Sequence, residues 1–207
     1  FILLIPSTIA SKSVVDLEIE ESLSNSDLGI LAGELSPNGE SVLLVGLDGY
    51  AREISALQAD DRSKDVELNT GRTVSLNDVS WHPRGQAALI AGEKGVALRY
   101  ETSNHGVTLV NGTGEIIGRD LSSVEWRQAG DYAYFGAEDG GIWKFAEGIG
   151  FVALDNSKNS SITGISCHRN IDACVMTTLD DGIAVIGPTH NISWLSGTSS
   201  DTWLDVD

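Results

Sequence analysis

The chain is 207 residues long and carries 30 acidic residues against 13 basic ones, a formal charge of −17. A field of that sign repels phosphate backbones, which excludes nucleic acid as a partner class. With 41% hydrophobic residues the chain has enough apolar side chain for a packed core, which excludes a disordered polypeptide.

At the start, Phe1 to Ile5 is apolar, and small and hydroxylic residues run from Pro6 to Ser11. Residues 1–13 read either as the tail of a secretory signal or as a buried N-terminal strand. The first reading places the protein outside the cytoplasm, secreted or extracytoplasmic; the second leaves a cytoplasmic location open. The run is too short to cross a bilayer, and no other stretch reaches membrane length. Val15 to Glu20 alternates strictly, which predicts a strand with one face in water and suits an element that closes a ring.

From residue 28 onward the chain repeats. Leu35-Ser36-Pro37-Asn38-Gly39, then Val42 to Gly46 and Asp48-Gly49, returns as Trp81-His82-Pro83-Arg84-Gly85, Leu89 to Gly92 and Lys94-Gly95. A third copy runs from Trp126 to Gly130, then Tyr132 to Gly136 and Asp139-Gly140. The fourth has Cys167-His168, Cys174 to Met176 and Asp180-Asp181-Gly182. Matched positions lie 46 (Gly39 to Gly85), 45 (Trp81 to Trp126) and 41 (Trp126 to Cys167) residues apart. A period of about 40–45 residues that carries several short strands is the signature of a propeller blade.

The third copy shows the alternation most clearly, with strands predicted at 121–126, 132–137, 141–145 and 151–154 and turns between them. The expected fold is therefore all-β: a β-propeller with four recognisable blades of four antiparallel strands, within a domain spanning 14–207. The blades fall at about 28–70, 71–115, 116–157 and 158–200. Polar stretches at 59–69 and 155–161 read as surface connections. Asp205-Val206 repeats Asp78-Val79, so a fifth blade begins near residue 202, as expected of part of a larger ring. The alternative is a four-bladed ring in which 202–206 pairs with the N-terminal strand.

These copies resemble WD-repeat propellers, in which an inner strand ends in an aromatic residue, a Ser-Pro or His-Pro step and a Gly follow, and an Asp-Gly turn leads to the third strand. The matching elements are Leu35 to Gly39, Trp81 to Gly85, Asp48-Gly49, Asp139-Gly140 and Asp181-Gly182. The Trp-Asp pair that names the family is absent: the third strands end in Glu53-Ile54, Arg99-Tyr100 and Lys144-Phe145. The Gly-His pair is missing too, so that family's side-chain network does not carry over. A weaker resemblance links the chain to Asp-box propellers of the sialidase and photosystem-assembly-factor kind. Its nearest approach, Ser103-Asn104-His105-Gly106-Val107-Thr108-Leu109, lacks the Asp and the Trp.

Ser36, His82, Arg127 and His168 occupy one repeat position, just past each inner strand. On propeller geometry that position rings the channel mouth, where His82, Arg127 and His168 are the candidates to bind an anion or an acidic peptide. The plainer alternative is that this residue shapes its own turn. Recurrent Asp-Gly turns suit tight hairpins, and calcium needs six to eight oxygens at one point, so no metal site is expected. Trp81 and Trp126 hold a core position, while Trp143, Trp194 and Trp203 are candidates for a sugar platform.

Cys167 and Cys174 flank a predicted turn, where an oxidising compartment would bridge them and plain core packing explains them equally well. Asn111-Gly112-Thr113, Asn159-Ser160-Ser161 and Asn191-Ile192-Ser193 fit the glycosylation pattern, close to the number chance yields in such a chain. No nucleophile elbow, phosphate loop, dinucleotide fingerprint or zinc helix occurs, so no catalytic residues and no cofactor are expected. The expected function is a non-enzymatic, WD-repeat-like scaffold for protein–protein contact. A propeller enzyme or carbohydrate-binding module with a site at the channel mouth is the alternative.

Overall fold

A computed structural model describes residues 29–58 and 61–206. Sixteen strands form four antiparallel sheets, each ordered as its strands follow in the chain. Blade 1 has β1 (Ile30–Leu35), β2 (Ser41–Gly46), β3 (Ala51–Ser55) and β4 (Val66–Glu67), and blade 2 has β5 (Leu76–Trp81), β6 (Ala87–Gly92), β7 (Val96–Glu101) and β8 (Gly106–Leu109). Blade 3 has β9 (Leu121–Trp126), β10 (Ala133–Ala137), β11 (Ile142–Ala146) and β12 (Gly150–Ala153), and blade 4 has β13 (Ile162–Cys167), β14 (Cys174–Thr178), β15 (Ile183–Ile186) and β16 (Ile192–Trp194). The expected all-β propeller with four-stranded blades is thus present. The polar stretch expected as a surface connection around an outer strand contains the two-residue strand β4. The predicted elements at 1–13 and 15–20 lie outside the described residues.

Each blade is made locally by its turns. The first turn closes with a backbone bond from Gly39 N–H to Ser36 O (2.8 Å), repeated as Gly85 to His82 (2.7 Å) and Gly130 to Arg127 (2.8 Å). The turns after β2 and β6 need glycine for a second reason. Gly49 and Gly95 have φ of +75°, and a Cβ on either would lie 2.1 Å from the carbonyl oxygen of Arg72 or Ile116. These positions hold the second-to-third-strand turn against the segment leading into the following blade.

The cores lie between blades. Leu43, Leu76, Ile90 and Tyr100 fill the seam of blades 1 and 2, Leu89, Leu121, Phe135 and Phe145 that of blades 2 and 3, and Tyr134, Ile162, Met176 and Ile186 that of blades 3 and 4. Trp81 and Trp126 are buried, as their repeat position implies, and so is Cys167. Leu35, at the same position in blade 1, is 53% exposed because no described element covers that face.

Every inner strand has the same irregularity. The pairing register skips one residue in each blade, at Leu31, Asn77, Ser122 and Thr163. A bulge frees and re-aims the extra residue; in blades 2 and 3 that residue reaches the next blade, and in blade 4 it reaches the segment that follows. Asn77 Nδ2 donates to Leu121 O (2.8 Å), Ser122 Oγ to Ile162 O (2.5 Å) and Thr163 Oγ1 to Trp203 O (2.6 Å). Residues 203–206 therefore lie beside β13 as β13 lies beside β9, although they form no strand.

Cys167 and Cys174 are directly opposed in the β13–β14 pair and are joined by a disulfide. Burial of both residues means that packing and the covalent bridge coexist.

Candidate interaction face at the channel mouth

The inner strands and residues 204–206 surround a channel of about 550 Å³ whose ionisable lining is acidic: Glu34, Asp78, Glu125 and Asp205. Glu34, Asp78 and Glu125 act as inter-blade acceptors. Trp81 N–H donates to Glu34, Val124 N–H to Asp78 (2.7 Å) and Cys167 N–H to Glu125 (3.3 Å). Ser80, at the Glu34 and Glu125 position, accepts from Trp126 N–H (3.0 Å) and donates to Glu125 (3.0 Å). Burial pushes the Asp78 carboxyl up to about 6, against the pull of bonds from Val124 N–H, Val79 N–H and Ser123. Part of its side chain still opens on the channel. Among the described residues no group of three or more His, Cys, Asp or Glu is placed to hold a metal ion.

The three predicted mouth residues are each engaged locally. His82 Nδ1 accepts from Arg84 N–H (3.1 Å), which leaves Nε2–H to donate to Gly130 O (3.0 Å), and its ring stands edge-on to Trp126. His168 Nδ1 accepts from the N–H groups of Asn170 (3.0 Å) and Ile171 (3.2 Å). Ile171 occupies the place of the turn glycine in the other blades, and the imidazole supplies an acceptor for that turn. Arg127 pairs with Asp131 (3.0 Å) in its own turn and with Asp172 (2.8 Å) in the turn of blade 4, and its guanidinium lies 5.2 Å from the Tyr132 ring centre.

Arg127 and His168 line one cavity of about 270 Å³ together with Gln128, Arg169 and Asn170. His82 lies in a different groove of about 290 Å³, with Arg84, Arg99, Asp131 and Glu147. A depression of about 590 Å³ at the end of the channel is bordered by Glu34, Glu125, Gln128, His168, Arg169 and Asn170. His168 thus stands at this mouth, whereas Arg127 lines only the adjoining cavity. Trp143 is buried in the core, and Trp194 is partly covered, with Lys158 Nζ 5.6 Å from its ring centre. Trp203 donates through Nε1 to Thr198 O (3.1 Å).

A second set of contacts joins the third strand of one blade to the last turn of the next. Glu53 bonds His105 Nδ1 (2.9 Å), and Tyr100 Oη donates to Glu53 and lies 3.0 Å from His105 Nδ1. At the equivalent seam of blades 3 and 4, Lys144 Nζ contacts His190 Nε2 (3.1 Å) and Tyr134 Oη contacts His190 Nδ1 (2.8 Å). Between blades 2 and 3 the same place is taken by an ion pair of Arg99 and Glu147. Glu53, Arg99 and Lys144 share one register position, opposite Leu43, Leu89 and Tyr134. Burial, and then the Lys144 charge, lowers the His190 pKa from its usual 6.5.

Repeated four-stranded blades, with inner strands around a polar channel and cores in the seams, define a β-propeller. No family model matches the chain, and no curated protein matches it. Among solved structures it is similar to the crystal structure of RRP9 WD40 repeats, with 13% identity and a TM-score of 0.66, over 83% of this chain and 52% of that one. It is likewise similar to the structure of U3-55K, with 14% identity and a TM-score of 0.64, over 81% of this chain and 51% of that one. The fold is therefore WD-repeat-like, and the chain spans about half the length of these structures.

Proposed function

We propose that the chain is a non-enzymatic propeller scaffold, outside the cytoplasm, that receives an acidic segment of a partner protein at the mouth formed by blades 3 and 4. The turn from His168 to Ala173 supports this reading. The Cys167–Cys174 bridge clamps its base and the His168 ring fills its interior. Arg169 and Asn170 are exposed at its tip, and Arg169 makes no ion pair among the described residues. A loop already held in one shape loses little entropy on binding. An unpaired guanidinium matches a carboxylate in both charge and fork geometry. The disulfide supports an oxidising compartment, and the WD-repeat-like fold supports a scaffold.

The test is titration of isotope-labelled protein with a twelve-residue Glu-rich peptide and with a neutral peptide of equal length. The acidic peptide is expected to shift the backbone signals of Gln128 and residues 168–171, and Arg169→Ala to weaken binding about tenfold, the equivalent of one lost charge-assisted bond. Equal shifts with both peptides, or shifts confined to the opposite face, count against the proposal.

A further inference from the structure

Asn111 lies on the outer rim between blades 2 and 3, directly after buried Val110 and before Gly112, which has a φ of +81°. Val110 N–H bonds Ala97 O (3.1 Å), and Ile116, at the end of the short helix that follows, is fully buried in the core. The turn between these anchors is fixed, and a Cβ on Gly112 would lie 3.1 Å from Gly150 Cα. Asn111 itself is exposed, and its amide makes no hydrogen bond among the described residues.

Beside it is a groove of about 480 Å³, bordered by Leu109, Phe145, Ile149 and Gly150. Leu109 is 45% exposed and Ile149 73% exposed, so blades 2 and 3 leave apolar surface bare at this point. The Thr113 hydroxyl, which completes the Asn-Gly-Thr acceptor pattern, also makes no hydrogen bond among the described residues. Asn191 differs: its Oδ1 accepts from Thr189 Oγ1 (2.6 Å) and its Nδ2 lies 3.5 Å from Ser193 Oγ. Asn159 is exposed, but its backbone is pressed against Gly140, where a Cβ would lie 2.7 Å from Asn159 Cα.

We infer that Asn111 is an N-glycosylation site whose glycan lies over the Leu109 and Ile149 groove, an inference that rests on the extracytoplasmic reading above. The donor is an oligosaccharide carried on a polyprenyl phosphate or diphosphate. Asn111 Nδ2 attacks the anomeric carbon, the carbon–oxygen bond to phosphate breaks with its electron pair leaving on the phosphate, and one Nδ2 proton passes to the transferase base. The product amide keeps one N–H. Sugar rings present an apolar face and a hydroxylated one, so a glycan that starts at Asn111 can cover the bare leucine and isoleucine while remaining wettable.

The experiment is peptide mapping by mass spectrometry of the full chain isolated from its source cells, with thiols alkylated at lysis to record the state of Cys167 and Cys174. A hexose- or hexosamine-containing adduct on the Asn111 peptide, lost in Thr113→Ala, is the expected result. Thr113→Ala leaves Asn111 in place and removes no side-chain hydrogen bond among the described residues; its folding is checked by circular dichroism. It is also expected to raise binding of an apolar dye relative to the glycosylated chain, with the rise reversed by Ile149→Ser. An oxidised bridge with unmodified Asn111 overturns the glycan inference alone. Reduced cysteines with unmodified Asn111 overturn it together with the extracytoplasmic reading. Modification at Asn159 or Asn191 but not at Asn111 also overturns it.

Discussion

Lys144 Nζ stands 3.1 Å from His190 Nε2 across the seam of blades 3 and 4. An ammonium has only donors, so at this seam the imidazole accepts through Nε2 and carries its proton on Nδ1, toward Tyr134 Oη (2.8 Å). Protonating the ring would set two cations against each other beside Arg127, with Asp131 and Asp172 as the compensating charges. The ring also stands edge-on to Tyr132.

Acidification is therefore expected to loosen this seam. The His190 pKa is lowered in the folded chain, so between that value and 6.5 the unfolded chain binds more protons. This contribution to stability is fully present above 6.5 and is lost as pH falls through the lowered value. The melting temperature of the wild type should drop more between pH 7 and pH 5 than that of His190→Gln, which keeps a donor and an acceptor without titrating. Parallel curves for the two proteins would remove His190 from the account.

The seam of blades 1 and 2 uses the same position with the opposite charge. Tyr100 is fully buried and its hydroxyl pairs with Glu53, whose side chain is 13% exposed. Burial, with the Glu53 bond next, raises the Tyr100 pKa, so the phenol remains a donor across the working range. Tyr100→Phe leaves Glu53 paired with His105 and should cost about 1 kcal/mol, whereas Glu53→Ala removes the charged acceptor that Tyr100 and His105 share and should cost about 2–3 kcal/mol. Urea denaturation of the two variants checks the order, and the reverse order would contradict the assigned roles.

The bridge at the base of the blade 4 turn closes a short loop, its cysteines seven positions apart. Chain-entropy reasoning gives about 2 kcal/mol for a loop of this size. The double variant Cys167→Ala, Cys174→Ala should lose about that much and become open to protease within residues 168–173, with the blade seams intact. Unchanged proteolysis would show that the His168 bonds alone hold the turn.

Much of the fold was legible in the sequence because each copy spells out its turns. The glycines at the first turn of blades 1 to 3, and those of Asp-Gly or Lys-Gly at the second turn of every blade, have positive φ, so blade number and strand order follow from them. The inter-blade bonds were less visible. Asn77, Ser122 and Thr163 recur as polar residues one step into the inner strands of blades 2 to 4, a signal present in the aligned copies. Their partners are backbone carbonyls some 40 residues away, which no local pattern marks. The Glu53, Arg99 and Lys144 position was harder still, because chemically opposite residues serve it and each depends on what the following blade supplies. At the mouth, the repeat grouped His82, Arg127 and His168 at one position. The cavities, however, join only Arg127 and His168, because His82 turns toward Gly130 in the next blade.

The most direct measurement of the central claim is photo-crosslinking in the source cells, with a photoreactive residue placed at position 170 in one chain and at position 115 in another. Both sites are exposed; position 170 lies in the turn between β13 and β14, and position 115 in the short helix between β8 and β9 on the outer rim. The account predicts a discrete adduct with a second polypeptide from position 170, lost when Arg169→Ala is added, and none from position 115. An adduct from position 115 alone, or one from position 170 that is indifferent to Arg169, would contradict it.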